Sequence, residues 1–417
     1  MIVSAIWLER LRRAEYLLLG ALALVLPIFE TPKNLILFLL LFVWVAQRVV
    51  SRDFAFGRPD IIQISLLLML VSCLASTLAN WPLANGIKGL RHTLAQVLVF
   101  WMIYRAAHSG RQQLRIVEMA AAGVVIGLLW GIAEYVHGHN EYLVLHSVGN
   151  VIESSVYLGI ALATAFSVAW VASVDTSEPR AARHAALWWT TVAVMLVGLF
   201  LTGSRAAVLA VLVACVVYAL AIGRRSFWLA IVGCVALTAA VTTMLPDWFN
   251  HGRWLVKIQE MSVTDQPKLA MSDRERIDHW RVGVKRIAQG DAVMLGIGPH
   301  NSITIDYSKM EFDPPLLPIS RQLLHFHNMF LTKLVEEGVA GLASMLFFFS
   351  LIVVRMVRDR RRGEWRCWQW FAAVGALTVV IVASQVGPRW HQEQALLVMM
   401  VLAIYLNSRR AVAGEAR

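Results

Sequence analysis

A succession of apolar runs, each close to the length of a bilayer-crossing helix, limits this chain more than any other feature. They fall near Tyr16–Phe29, Leu35–Val49, Ile61–Leu78, Thr93–Tyr104, Ile116–Tyr135, Val151–Val171, Leu187–Thr202, Ala206–Ile222 and Trp228–Leu245. After a long polar stretch come Asn328–Val354, Cys367–Val386 and Glu393–Leu406. A helix needs roughly 20 apolar residues to cross the hydrocarbon. Only helices and closed barrels satisfy their backbone polar groups there. The pattern predicts an all-α polytopic membrane protein with about twelve transmembrane helices. Mean hydropathy of +0.61 and 16% charged residues, against about a quarter in soluble domains, exclude a globular enzyme with a soluble core. There is no internal repeat, low-complexity segment or separate soluble domain, so residues 1–417 form a single membrane domain. The first run follows Arg10, Arg12 and Arg13 as a signal peptide would. It has no small-residue cleavage site, and another span follows at once, so it is expected to be retained.

The turns between runs differ sharply in charge. One alternate set holds Arg10/Arg12/Arg13, Arg48/Arg52/Arg58, Arg105/Arg111/Arg115, Arg180/Arg183, Arg224/Arg225, the cluster from Arg355 to Arg366, and Arg409/Arg410/Arg417. The other set of short turns holds only Lys33, Lys88, Arg91, Arg205 and Arg389. Positive turns stay in the cytoplasm. Both termini are then cytoplasmic, and the sparse set faces outward together with the one long loop, 246–326. The four cysteines (Cys73, Cys215, Cys234, Cys367) lie in apolar runs or beside a basic turn. None is in the long loop, which predicts neither a disulfide framework nor a metal site.

Arginines in outward turns run against the orientation rule. Arg205 sits in a tight turn, TGSRAA, between two apolar runs, and Arg389 sits in VGPRWHQE near the start of the last span. A charge at membrane depth costs about 2.5–3.5 kcal/mol on insertion scales. Each side chain therefore needs a partner, a watery cavity or an anionic ligand, or it snorkels to lipid phosphates. Taken singly, these readings are even. Several such residues on one face favour an anionic ligand.

The long loop has internal order. In DRERIDHWRVGVKRI (Asp273–Ile287), Ile277, Trp280, Val284 and Ile287 share one helical face, with Arg274, Arg281 and Lys285 towards the other. That is the pattern of a basic amphipathic helix lying on a membrane surface. Arg276 precedes Trp280 by one turn and flanks the apolar face, from which it can point inward. MLGIGPHNS (Met294–Ser302) is a turn punctuated by glycine and proline. DPPLLPIS (Asp313–Ser320) is extended. No pair of acidic residues is spaced to hold a divalent ion against a diphosphate, and the loop's carboxylates (Asp291, Asp306, Glu311, Asp313) read as solvated.

The chemistry centres on HFHNMFLTKLVEEGVAG (His325–Gly341). A helix starting near Asn328 places His327 at its first turn, where free N–H groups and the dipole disfavour a protonated imidazole. A neutral His can serve as general base. The bland alternative is a loop His that merely caps a membrane helix. Gly338 and Gly341 fall on one face, a spacing that lets another helix approach closely. Lys333 reaches both Glu336 and Glu337 along the helix.

These residues resemble the O-antigen ligase family of bacterial lipopolysaccharide synthesis. That family carries His, then Asn, Ser or Gln, then nine residues, then Gly-x-x-Gly. His327-Asn328, Met329–Glu337 and Gly338–Gly341 match every fixed position. A Gly-Ser-Arg turn (Gly203-Ser204-Arg205) and Arg-x3-Trp followed by Gly-x-Gly (Arg276, Trp280, Gly296, Gly298) also match, in the family's order. The specific matches lie within residues 203–341. The chain departs at Gly290-Asp291-Ala292, where the family more often has an aromatic residue or His before Pro.

The resemblance implies a glycosyltransferase C-like fold in the bacterial inner membrane with a periplasmic active site. It implies transfer of a finished glycan from undecaprenyl diphosphate to a sugar hydroxyl of the lipid A–core. Neither cofactor nor metal is implied, the partners beyond those two lipids are membrane lipids, and no nucleic acid enters. The residue types fit independently. Charge developing on a diphosphate leaving group must be neutralised by a metal or by Arg and Lys, and guanidinium forks bind phosphate oxygens bidentately. His327 is the expected base, with His325 its rival or an acceptor-binding residue. Arg205, Arg276 and Arg389 are expected at the diphosphate, with Arg91, Lys88 and Arg281 as further substrate-binding candidates. A single in-line displacement would invert the anomeric centre. An O-antigen polymerase and a protein O-oligosaccharyltransferase remain alternatives with the same donor. A lipid or glycan transporter fits less well, because the ionisable residues gather at the outer edge instead of the bilayer midplane.

Overall fold

The computed structural model describes residues 2–51, 59–81, 84–106, 108–138, 142–174, 179–223, 267–290, 292–307, 310–313, 315–316, 326–385, 390 and 392–415, with isolated positions between 225 and 233. Among the described residues there are twelve α-helices, one short 3-10 turn and no strand. The helices are α1 (Ile2–Val25), α2 (Glu30–Ser51), α3 (Ile61–Ala79), α4 (Ala84–Arg105), α5 (Gly110–Val136), α6 (Val151–Val174), α7 (Pro179–Leu201), α8 (Arg205–Ile222), α9 (Pro267–Ala288), α10 (Met329–Arg361), α11 (Trp368–Ala383) and α12 (Gln392–Glu415). Seven of them (α2, α3, α5, α6, α7, α8 and α10) are long and apolar enough to cross a membrane, and α11 is a shorter apolar helix. The chain is a multi-pass, all-helical membrane protein. The expected twelve spans are only partly matched. Helices α1, α4 and α12 have the length but carry charged residues, and most of the run Trp228–Leu245 lies outside the described residues, as does Cys234.

A helix that is apolar all round belongs at the centre of a bundle. That is the place of α6, where nearly every side chain from Glu153 to Ala169 is buried. It packs against α7, α8, α11 and α12. Outer helices turn Phe38, Phe42, Val71, Leu129, Leu187, Val197 and Leu209 to the surroundings. So large an apolar belt is a lipid-facing surface.

Chain direction sorts the turns onto two ends. At one end Met329 N–H donates to Ser384 O (3.0 Å), so α10 starts where α11 finishes. At the same end the buried Lys33 pairs with Glu393, joining the starts of α2 and α12. At the other end Asp359, near the end of α10, accepts from Tyr405 Oη (2.8 Å) and pairs with Arg409 of α12 (3.0 Å). Arg360 there donates to the last carbonyls of α8, Leu220 O and Ala221 O. The arginine-rich turns thus share one end, and the His327 segment lies at the other. Lys33, expected to be a loop charge, is instead fully buried against its carboxylate.

Candidate active site

The site is built around a break in α10. Gly338 has φ 69° and ψ −169° inside the helix, so the regular i→i−4 ladder is interrupted there. The loop Val293–Gly298 supplies the lost partners. Ile297 and Gly298 N–H donate to Val335 O (3.0 Å) and Glu336 O (2.9 Å). In return, Val339 and Ala340 N–H donate to Val293 O (2.8 Å) and Met294 O (3.2 Å). Four backbone bonds therefore replace the helical ones, as buried amides require. The approach leaves no room for side chains: a Cβ on Gly338 would lie 2.2 Å from Met294 O, and one on Gly296 would lie 2.3 Å from Glu336 C. Gly296 is also at positive φ (68°), where glycine carries no steric penalty.

This corrects the expectation that Gly338 and Gly341 form a helix-packing surface. Gly338 receives a loop backbone, and Gly341 makes space for the side chain of Glu337 on its own helix. Glu337 pairs with Lys333 at 2.5 Å, whereas Glu336 accepts the Ser302 hydroxyl. The two carboxylates expected to share Lys333 thus take different principal partners. From α3, Ser76 Oγ donates to Glu336 O at the break (2.9 Å), and the same loop is pinned by the cap residue Asn80, whose Nδ2 donates to Gly296 O (3.2 Å). It touches α4 at Gly89, whose Cβ position would be 2.4 Å from Pro299 Cβ.

His327 stands just outside this helix. Asn328 is the N-cap, its Oδ1 accepting from Leu331 N–H (2.9 Å), and α10 begins at Met329. His327 therefore precedes the cap instead of lying in the first turn, and its backbone is left-handed (φ 49°). Helix α9 packs on the start of α10 through Val282 and Gly283, the latter against Phe326 and Leu331. That docking stacks the His279 ring on the His327 ring, with centroids 5.4 Å apart and planes 5° apart. The proton affinity of His327 is pushed down to about 4. Burial is the largest cause, followed by the positive fields of His279 and Arg276. Charge repulsion and loss of solvation act in the same direction, against imidazolium.

Helix α9 turns Asp278, His279 and Val282 inward, while Ile277 and Val284 of the apolar stripe expected at a membrane surface are more than half exposed. Trp280 and Ile287 of that stripe are half-buried, Ile287 against the small core around Phe326. The inward face thus carries polar residues.

Among the candidate binding residues, the structure brings Arg276 into electrostatic reach of His327. Arg205 is the first residue of α8, after Gly203 at φ 66° and Ser204, whose Oγ accepts from Ala207 N–H. Because α8 ends at the arginine-rich end, Arg205 lies at the His327 end of the bundle. Lys88 and Arg91 are exposed on the first turns of α4, at that same end. Arg281 is turned elsewhere, pairing with Asp278 (3.2 Å) and lying over the Phe312 ring (5.5 Å). Arg389 and His325 lie outside the described residues. Among the described residues no group of three or more His, Cys, Asp and Glu is arranged to hold a metal ion.

Sequence reasoning missed His279. Its signal was its spacing, one turn after Arg276 on a helix already singled out. It also missed a small polar cavity beside the break, where His92 and His300 meet edge-to-face at 5.1 Å near Thr332, Lys333 and Glu336.

The O-antigen ligase family model matches residues 190–346. That stretch of the chain is similar to the O-antigen ligase family. The matched stretch runs from α7 past the break in α10. It takes in Arg205, Arg276, the Gly296–Gly298 loop and His327, and it leaves Lys88, Arg91 and Arg389 outside. No curated protein matches the chain.

Proposed function

We propose that the protein is an O-antigen ligase that moves a glycan from undecaprenyl diphosphate to a sugar hydroxyl of lipid A–core, on the periplasmic face of the inner membrane. The observation that carries this reading is the half-buried His327 ring, stacked on His279 and within electrostatic reach of Arg276. His327 is the general base that removes the acceptor hydroxyl proton. Arg276, Arg205 and Arg389 neutralise charge on the diphosphate as the glycosidic bond breaks. Arg91, Lys88 and His325 are further substrate-binding residues in this reading. Arg281 braces the outer loop through Asp278 and Phe312 instead of touching donor phosphate.

The electrostatics give the cycle a direction. In the empty site burial, helped by the fields of His279 and Arg276, holds down the proton affinity of the imidazole. An arriving diphosphate adds negative charge and raises the imidazole's proton affinity towards the working pH. Departure of the lipid diphosphate lowers it again, and the proton is shed. Attack in line with the leaving group inverts the anomeric centre, and NMR of the product linkage reads this directly.

A glycosyltransferase C-like arrangement fits a helical bundle with its site at one end. The charge asymmetry of the two ends supports a periplasmic site with both termini in the cytoplasm. A chromosomal deletion tests the acceptor. Loss of capped lipid A–core with lipid-linked polymer retained is the expected phenotype. Loss of the polymer itself would reassign the chain as a polymerase, and loss of glycan from proteins as an oligosaccharyltransferase.

A further inference from the structure

At the end of the bundle away from His327, a cavity of about 750 Å³ opens between α1, α2, α4 and α5. Its volume lies within the range of small-ligand sites, about 300–1,000 Å³. Each of the four helices contributes a guanidinium: Arg12 and Arg13 from α1, Arg48 from α2, Arg105 from α4 and Arg115 from α5. Among the described residues two carboxylates line it, Glu9 and Glu15; Glu15 accepts from Gln47 Nε2 (2.6 Å) and faces Arg12 and Arg48 electrostatically, which leaves the arginines in excess. Like charges brought together on four separate helices raise the energy of the bundle unless an anion shares the space.

The walls are not uniformly polar. Arg48 lies over the Trp44 ring (5.7 Å) and Arg105 over the Trp101 ring (5.6 Å). Indole faces help orient the guanidinium forks, and Arg105 also donates through Nη2 to Gln63 Oε1 (3.3 Å). Leu17 also lines the cavity and is 59% exposed. It continues into the exposed apolar side chains Val45 and Val49 of α2. A ligand suited to this shape has an anionic phosphate head and an apolar tail lying along the outer faces of α1 and α2.

We infer that this cavity binds the phosphate headgroup of an anionic membrane phospholipid, whose acyl chains follow the α1–α2 surface. The site is separate from the glycan-transfer site and stands whether or not the reaction proposed above is correct. Guanidinium groups at a membrane surface attract anionic lipid at about 1 kcal/mol each. Each arginine removed should therefore weaken binding about fivefold.

The test uses the purified full-length protein in neutral detergent. Thermal unfolding is followed with phosphatidylglycerol mixed micelles, with phosphatidylcholine mixed micelles, and with inorganic phosphate alone. Phosphatidylglycerol should raise the melting temperature, and the other two should not. Arg115→Gln, at an exposed position, should weaken the phosphatidylglycerol response about fivefold in midpoint concentration. Arg12→Gln with Arg115→Gln should weaken it about 25-fold, with melting not lowered when no lipid is added. Arg362→Gln, at the same end but outside the cavity, should respond like the wild type. The proposal is overturned if phosphatidylglycerol gives no shift, if the double variant keeps the full shift, or if inorganic phosphate protects equally well.

Discussion

His327 combines a strained backbone with a half-buried imidazole whose proton affinity is lowered first by loss of solvation and then by its neighbours. Left-handed backbone in a residue other than glycine persists only where the surroundings enforce it, and such residues concentrate at functional sites. Here the enforcement comes from the Asn328 cap on one side and the His279 stack on the other. His327→Ala should lower the transfer rate by about 10²–10⁴ while leaving donor-lipid binding largely intact. Full activity in that variant would end the assignment. The pH profile makes a second prediction. Protonation of the free site removes the base, so the acid limb of kcat/KM should fall near pH 4 instead of near 6.5. Arg276→Gln removes one positive neighbour, raises the proton affinity of His327, and moves that limb upward. A limb that stays in place or moves down would show that Arg276 does not act on this imidazole. His279→Phe keeps a stacking ring without the charge and should also move the limb upward. His327 was legible in the sequence because its motif fixes its distance from two glycines. His279 was not, because a lone His on an amphipathic helix has no local mark of the ring it will meet.

The arrangement of helix and loop carries the site more than any single side chain does. Helix α10 is two segments joined at Gly338, and the loop from Val293 to Gly298 serves as the missing stretch of backbone partner. This is how a membrane helix can break without leaving bare amides in an apolar setting. Gly338→Ala adds a Cβ where only 2.2 Å is free and imposes left-handed backbone strain. Left-handed geometry alone costs about 1–2 kcal/mol for a side-chain-bearing residue. The variant should melt at lower temperature and expose the 292–307 loop to protease, with activity lost even though no reacting group is altered. Gly296→Ala should behave alike, since its Cβ would meet the Glu336 backbone from the other side. Unchanged melting and proteolysis in both would mean the break tolerates a side chain. The two glycine motifs were visible in the sequence, but their pairing was not. The conformation of Gly338 is set by a loop distant in sequence, so local periodicity pointed to helix packing instead. The same limit explains α9. Hydrophobic periodicity found the stripe and placed it at a membrane surface, but it carried no mark that polar His279 and Asp278 turn inward onto α10.

Across the bundle the most legible feature was the segregation of charge, because it depends only on which turns alternate. The arginine-rich turns do gather at one end, opposite His327, Arg205 and the Lys33–Glu393 pair. If that end is cytoplasmic, a fluorescent reporter fused beyond α12 should be bright. Alkaline phosphatase inserted after Gly290 should be active, and the reverse pattern would invert the proposed orientation. The number of spans was less legible. Helices α1, α4 and α12 mix apolar stretches with charged ends, and their place in the bilayer depends on the partners that cover those charges. Two ends with different electrostatics suit a protein that handles a lipid diphosphate on one face and meets anionic lipid on the other.

Reconstitution with purified components gives the sharpest test of the account. Protein in nanodiscs is given undecaprenyl-diphosphate-linked glycan and lipid A–core, and capped product is quantified across pH for the wild type, His327→Ala and Arg276→Gln. We expect transfer by the wild type with an acid limb near pH 4, at least about 10²-fold less product from His327→Ala, and a raised limb in Arg276→Gln. Undiminished transfer by His327→Ala, with a pH profile matching the wild type, would contradict it.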